Sequence, residues 1–184
     1  MAMARYRIVK KFRSNGEEVI IRYPKISDGD DLLRNINSLV EERAFIALEK
    51  KQTKAGEKKW LATLLKNVRG KKIVALVAEI NGKVVGLSQV EKNSKDAFSH
   101  VGGFGISLIK EARGRHIGER LAKAVIAEAK RVLKVRIVTL GAYACNRPAV
   151  DCYRKCGFVK TEIMKGGIKY HGKFLDRIRM VKYL

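Results

Sequence analysis

Apolar residues recur along this chain in two rhythms, every second position and every third or fourth, and the switches between them mark out the elements. At residues 6–12 and 18–23, β-branched and aromatic residues flank Ser14-Asn15-Gly16. Asn-Gly supplies the positive φ angles of a tight turn, so the pattern predicts an opening β-hairpin, which Pro24 ends. Ser27 with Asp30 three residues on predicts a capping box, with Asp28 and Asp31 adding negative charge at a helix start. That helix should reach about Arg43 and bury Leu33, Ile36 and Val40. A second helix, from about Gly56 to Gly70, carries Trp60, Leu61, Leu64, Leu65 and Val68 on one stripe, which puts Trp60 in the core.

Residues 73–80 are a near-continuous apolar run, the pattern of a strand covered on both faces, and Asn81-Gly82 turns it into a partner over 83–90. Residues 99–109 read as another strand, with Gly102, Gly103 and Gly105 inside it. Glycine weakens a strand, so three together point to a bulge or to a ligand or backbone in close approach. Residues 106–132 pass from this strand through a basic turn into an amphipathic helix with Ile117, Leu121, Ala124, Val125 and Val132 on one face. A strand over 135–143 follows, then a short helix opened by Asn146-Arg147-Pro148 and closed at Gly157. Residues 158–164 and 174–184 form a closing antiparallel pair joined by a basic loop over 165–173. The order ββααβββαβαββ is that of a mixed α/β domain, expected to span 1–184 as one unit.

Composition narrows the class. The longest apolar runs are short and broken by charges, the first residues lack the apolar stretch of a signal peptide, and a cytoplasmic, membrane-free protein is expected. Cys145, Cys152 and Cys156 are an odd number in one segment, unlike a disulfide framework. Cys152 and Cys156 are spaced as helix neighbours, but nothing completes a zinc set, so small core-facing residues and no metal are expected. Forty basic residues against 18 acidic leave a formal charge of +22. That surplus suits a polyanionic partner, which could be nucleic acid, an acidic protein or a phosphorylated cofactor. The basic residues are spread along the chain as pairs and singles rather than gathered in a block, which disfavours nucleic acid.

The turn after residue 109 carries the first chemistry. Gly114 and Gly118 leave room for a ligand, unpaired N–H groups at the helix start donate to it, and the helix dipole favours an anion. Arg113 and Arg115 add positive charge to the same turn. The physical reading is a phosphate cradle, without the Lys-Ser/Thr of a P-loop or the G-x-G-x-x-G of a dinucleotide site.

At this point the chain resembles the GNAT superfamily of acetyl-CoA-dependent N-acetyltransferases. The family's cofactor motif R/Q-x-x-G-x-G/A is matched by Arg113-Gly114-Arg115-His116-Ile117-Gly118, with His116 in place of the usual first glycine. The next motif, N-x-x-A-x-x-x-Y-x-x-x-G-F, is matched at every position by Asn146, Ala149, Tyr153, Gly157 and Phe158. Within the superfamily it is most similar to archaeal-type members of the protein-acetyltransferase branch. The resemblance implies a mixed, mostly antiparallel sheet of about seven strands flanked by about four helices, with strands splayed at the cofactor site. It implies that backbone groups of Ile106, Ser107 and Leu108 hold the pantetheine arm, and that N–H groups from Gly114 through Arg115, His116, Ile117 and Gly118 to Glu119 hold the pyrophosphate. Arg113 belongs to the same motif, Asn146 would contact the pantetheine region, and Tyr153 would sit near the sulfur. His116 fits if it keeps a negative φ and points outward.

The implied reaction is direct attack of a neutral amine on the thioester, with Tyr153 as general acid. Many relatives carry a glutamate base on nearby strands, but here those places are Gly103 and Gly141; Glu79, Glu91, His100, Tyr170 and His171 are the remaining candidates for base or acceptor contact. The expected acceptor is a protein or peptide amine, with a small-molecule amine as the alternative. A nucleic-acid- or ribosome-associated binding protein on a degenerate version of the fold is the alternative of another class. The chain is expected to act as a monomer or homodimer.

Overall fold

The structure, a computed structural model, describes residues 7–184; Tyr6, assigned above to the first strand, lies outside them. One eight-stranded sheet runs through it, one strand more than the resemblance implies, in the order β1-β2-β3-β4-β5-β6-β8-β7. Its strands are β1 Ile8–Ser14, β2 Glu17–Arg22, β3 Ile73–Ile80, β4 Lys83–Lys92, β5 Val101–Leu108, β6 Ile137–Tyr143, β7 Val159–Tyr170 and β8 Lys173–Tyr183. Four α-helices, α1 Gly29–Glu41, α2 Lys54–Arg69, α3 Ile117–Leu133 and α4 Arg147–Lys155, complete the mixed α/β architecture. Both Asn-Gly turns form as expected: Asn15 and Gly16 have φ of 50° and 81°, Asn81 and Gly82 of 50° and 76°.

The two faces of the sheet bury different clusters. Helix α3 packs Ile117, Leu121, Val125 and Leu133 against Val74, Leu76, Val138 and Met180 on one face. Ala124 and Val132, expected on that buried stripe, are half-buried at its flank, and Ala122, Ile126 and Ala129 take the deep positions. On the other face α1 and α2 bring Leu32, Leu61 and Leu64 onto Ile73, Ala75 and Val77. Helix α1 is rotated from the expected face: Leu32, Asn35 and Leu39 are buried, while Leu33, Ile36 and Val40 are half-buried. Asn35 tolerates this position because its amide donates to the Val84 carbonyl at 2.8 Å. Trp60 is 39% exposed rather than in the core, since Leu61 and Leu64 carry the inner face of α2. Thr53 caps that helix, accepting from the Gly56 N–H at 3.1 Å, so α2 starts before Gly56.

Ser27 and Asp30 do not form the expected capping box. Asp28 occupies the start of α1 and is buried, with its Oδ2 accepting from the Lys25 N–H at 2.8 Å. Its two oxygens also take a bidentate pair from Arg22 Nη1 and Nη2, both at 2.8 Å, and Arg22 Nε donates to Glu79 at 2.7 Å. This buried triad ties β2, β3 and the start of α1 together, and it occupies Glu79. The basic loop expected over 165–173 is instead mostly strand: β7 continues to Tyr170, with irregular pairing between Met164 and Ile168, and the turn falls at His171-Gly172. Glycines 166 and 167 and the polar residues around them hide a strand that is exposed on both faces as far as Lys165 and half-buried on one face beyond it.

Removing Asp28 takes the bidentate partner from Arg22 but leaves its bond to Glu79, so the loss is that of charged hydrogen bonds rather than of a whole counterion. Asp28→Ala is expected to cost about 1–3 kcal/mol of folding stability. Urea unfolding followed by circular dichroism checks this, with the midpoint falling and the slope unchanged.

Candidate functional site

Strands β5 and β6 are the one parallel pair among the described strands, and they pair only from Val101–Gly103 against Ile137–Thr139. Beyond that they part. Strand β5 keeps β4 on one edge as far as Leu108, opposite Gly86, so its other edge over residues 104–108 faces a gap. Backbone groups there are available to a ligand. At the end of the gap the Arg113 side chain donates to the Leu108 carbonyl from Nε (3.0 Å) and Nη2 (2.9 Å), and pairs with Glu42.

The turn into α3 has the expected shape but not the expected details. Gly114 has φ of 71°, and His116 has φ of 58° rather than a negative value. The glycine that His116 replaces therefore marks a left-handed position, which His tolerates better than most residues. Its side chain points outward, 74% exposed, 3.8 Å from Glu119. Arg115 turns away to the β1–β2 hairpin, bonding Glu17 at 2.6 Å and the Ser14 carbonyl at 3.0 Å, and Ile117 is fully buried in the core. Both leave their backbone N–H to the turn, while the Arg115 carbonyl accepts from the Ser14 hydroxyl at 3.0 Å. A hydrogen bond from Lys123 at 2.6 Å holds the Glu119 carboxyl below its ordinary range and screens its charge.

Helix α4 supplies the opposite wall. Asn146 caps it, its Oδ1 accepting from the Ala149 N–H at 3.4 Å. Two turns on, Tyr153 packs edge-on to Phe104 of β5, with centroids 5.9 Å apart, and near Phe158. Burial, reinforced by the neighbouring Cys152 and Cys156 thiols, pushes the Tyr153 phenol up to about 12. A hydrogen bond from Cys156 holds the Cys152 thiol down, while Cys156 itself is raised.

A cleft of 740 Å³ joins these parts. Of the residues expected at the cofactor, all but Arg115 and Ile117 line it: Ile106, Ser107 and Leu108 from β5, Arg113, Gly114, His116, Gly118 and Glu119 from the turn, and Asn146 and Tyr153 from α4. The stretch from Glu42 to Ile46 after α1, whose first two residues were expected to end the helix, forms a further wall. Aromatic residues pin it in place. Tyr143 donates to the Ile46 carbonyl at 2.9 Å, Tyr170 donates to the Arg43 carbonyl, and both rings pack on Phe45.

A second cleft of 500 Å³ opens over Gly103 and Gly105; along β5 its lining ends at Gly105 and that of the larger cleft starts at Ile106. Glu91 is the one acid lining it, directly opposite Gly103 on β4, beside Gln89 and Thr139. The other candidates are engaged or lie apart. Glu79 belongs to the Arg22 triad, Tyr170 clamps the loop, and His171, whose backbone N–H donates to Glu49 at 2.9 Å, lies in neither cleft, like His100. Among the described residues no group of His, Cys, Asp or Glu could hold a metal ion, and no helix is long and apolar enough to cross a membrane.

Family comparison agrees with this geometry. The model of the GNAT acetyltransferase family matches residues 36–158. The chain belongs to this family. It is 32% identical over 113 residues to the L-amino acid N-acetyltransferase AaaT of Escherichia coli (strain K12), a match covering 60% of this chain and 68% of that protein. It superimposes on the ribosomal-protein-alanine N-acetyltransferase from Brucella melitensis with a TM-score of 0.80 and 29% identity, over 89% of this chain and 99% of that one. The yncA structure from Salmonella typhimurium, which contains its cofactor acetyl-CoA, shares the fold with a TM-score of 0.80 at 22% identity, over 90% and 94% of the two chains.

This GNAT protein is therefore an acetyl-CoA-dependent N-acetyltransferase that acts on an amine. Its residues fit that cosubstrate: the free edge of β5 suits the amide groups of a pantetheine arm, and the left-handed turn at the start of α3 suits a pyrophosphate. His116 tests the turn directly. A left-handed backbone costs a residue with a Cβ about 1–2 kcal/mol, partly offset by the extra chain entropy of glycine. His116→Gly should therefore gain about 0.5–1 kcal/mol and leave acetyl-CoA affinity unchanged, measured by urea unfolding and calorimetric titration. A loss of affinity would mean that the imidazole itself contacts the cosubstrate.

Proposed function

We propose that this protein acetylates the α-amine of a protein or peptide by direct attack, with Tyr153 as general acid. The observation that carries this reading is the edge-on placement of Tyr153 against Phe104, at the gap between β5 and β6. In this reading Ile106, Ser107 and Leu108 bond the pantetheine arm, the N–H groups from Gly114 to Glu119 hold the pyrophosphate, and Asn146 lies by the pantetheine. Acetyl-CoA supplies an acyl thioester. Unpaired N–H groups of β5 polarise its carbonyl oxygen, as an oxyanion hole does.

Tyr153 stays protonated over the whole working range, because burial holds its phenol near about 12. Complete transfer of that proton to a thiolate with an ordinary pKa of about 8.5 would be uphill by about 5 kcal/mol. Tyr153 therefore acts by sharing its proton with the departing sulfur, and the net proton comes from the nitrogen once it has bonded to carbon. The amine must arrive neutral. At about pH 7 this costs a lysine about 4–5 kcal/mol and an α-amine near pKa 8 only about 1 kcal/mol. In this reading Glu91, which lines the smaller cleft, receives that proton through water. The local supply of bases is thin, which favours the α-amine.

The name of the Escherichia coli relative supports a second reading, acetylation of a free amino acid. Incubation with acetyl-CoA and a panel of peptides, lysine side-chain amines and amino acids, followed by mass spectrometry, decides between them. The expected product is a peptide acetylated at its N-terminus, with kcat/KM rising to a plateau near about pH 8 rather than climbing through about pH 10 as a lysine would. Tyr153→Phe should lower kcat by about a hundredfold while acetyl-CoA still binds. Full turnover in that variant would remove the acid role.

A further inference from the structure

Gly141 lies on β6 just beyond the last residue paired with β5, and an arginine covers it. A Cβ at this position would stand 2.7 Å from Nη2 and 2.8 Å from Nε of Arg177. Any other residue at 141 would displace the guanidinium, so the glycine is what admits it. Arg177 reaches there from β8, where it is paired opposite Tyr143. Leu140 and Ala142 point into the α3 core. By strand alternation, Gly141 and the guanidinium over it are on the opposite face, the face of Thr139, Gly103 and Glu91.

The guanidinium is half-buried and, among the described residues, makes no hydrogen bond or ion pair. Among the described residues no acid pairs with it: Asp176 bonds Lys165 at 3.1 Å and the Gly166 N–H at 3.0 Å, Glu162 pairs with Arg179 at 3.4 Å, and Glu91, on the same face, stands across β5 without bonding it. A cation held partly out of water without a counterion loses solvation that nothing in the protein returns. A ligand carboxylate would return it, through the two-pronged geometry that guanidinium offers.

We propose that Arg177 binds a carboxylate on the acceptor, within a few bonds of the amine to be acetylated. The acceptor class is then an α-amino acid or a peptide beginning with an acidic residue. This rests on the reading that the protein acetylates an α-amine. The placement suits that chemistry in a second way. A free carboxylate beside an amine keeps it protonated, and pairing the carboxylate with Arg177 removes that penalty where the amine must be neutral. The +22 surplus draws such acceptors toward the protein.

The test uses the CoA-loaded protein and two matched pairs of ligands: Asp-Ala-Ala against Asn-Ala-Ala, and alanine against alaninamide. Calorimetric titration should give at least tenfold tighter binding of the carboxylate member in one pair, and the pair that discriminates identifies the source. Arg177→Gln should abolish the discrimination while keeping the melting temperature, since no partner is lost. Gly141→Ala should weaken it with the charge intact, by displacing the guanidinium. Equal binding of acid and amide in both pairs, or a preference that survives Arg177→Gln, overturns the proposal. Thiol release from acetyl-CoA with the same ligands separates this from the parent reading. Release that ignores the carboxylate contradicts the role of Arg177 alone. Carboxylate-selective binding with no release from any α-amine contradicts the transfer reading and leaves Arg177 supported.

Discussion

Strand β5 is held by β4 along one edge as far as Leu108, but by β6 only from Val101 to Gly103. Backbone N–H and C=O groups that lose a strand partner must find another or pay for desolvation when covered. The parting of these two strands therefore creates both an opening in the sheet and a row of groups that a ligand amide can satisfy. The features around the opening depend on it. Tyr153 and Phe104 meet across it, the left-handed turn at Gly114 and His116 follows directly from its end, and Arg113 closes it by bonding the Leu108 carbonyl.

Two sets of interactions keep the walls of that opening in place. The buried Arg22–Asp28–Glu79 triad fixes the start of α1 to the sheet, and α1 in turn leads into the 42–46 wall of the larger cleft. At the other side Tyr143 and Tyr170 hold the same wall through its carbonyl groups, with Phe45 packed between the rings. The larger cleft is thus shaped by residues from β6 and β7 that are distant in sequence from the loop they clamp.

The order of elements was legible in the sequence because two Asn-Gly turns and clean alternation bracket the strands. The cofactor motif was legible for the same kind of reason, being a local run from Arg113 to Gly118. Other features depend on contacts that no local pattern encodes. Asn35 looks like a surface residue until Val84 supplies its partner, and that one polar position rotated the expected face of α1. Trp60 looked like core because it falls on the same helical stripe as Leu61 and Leu64, which alone carry the inner face of α2. The 165–170 stretch looked like loop because Gly166, Gly167 and the polar residues around them are only half-buried on one face. Arg177 over Gly141 was invisible, since the clearance belongs to two strands at once; the missing glutamate at 141 was the one available signal.

The central claim is that one acetyl-CoA molecule bonds both the free edge of β5 and the turn at the start of α3. Amide hydrogen exchange with and without acetyl-CoA tests this most directly. The account predicts slowed exchange at residues 104–108 and 114–119 together, with β7 and the outer part of β8 unchanged. Slowing confined to other segments, with these two stretches exchanging as in the free protein, would contradict it.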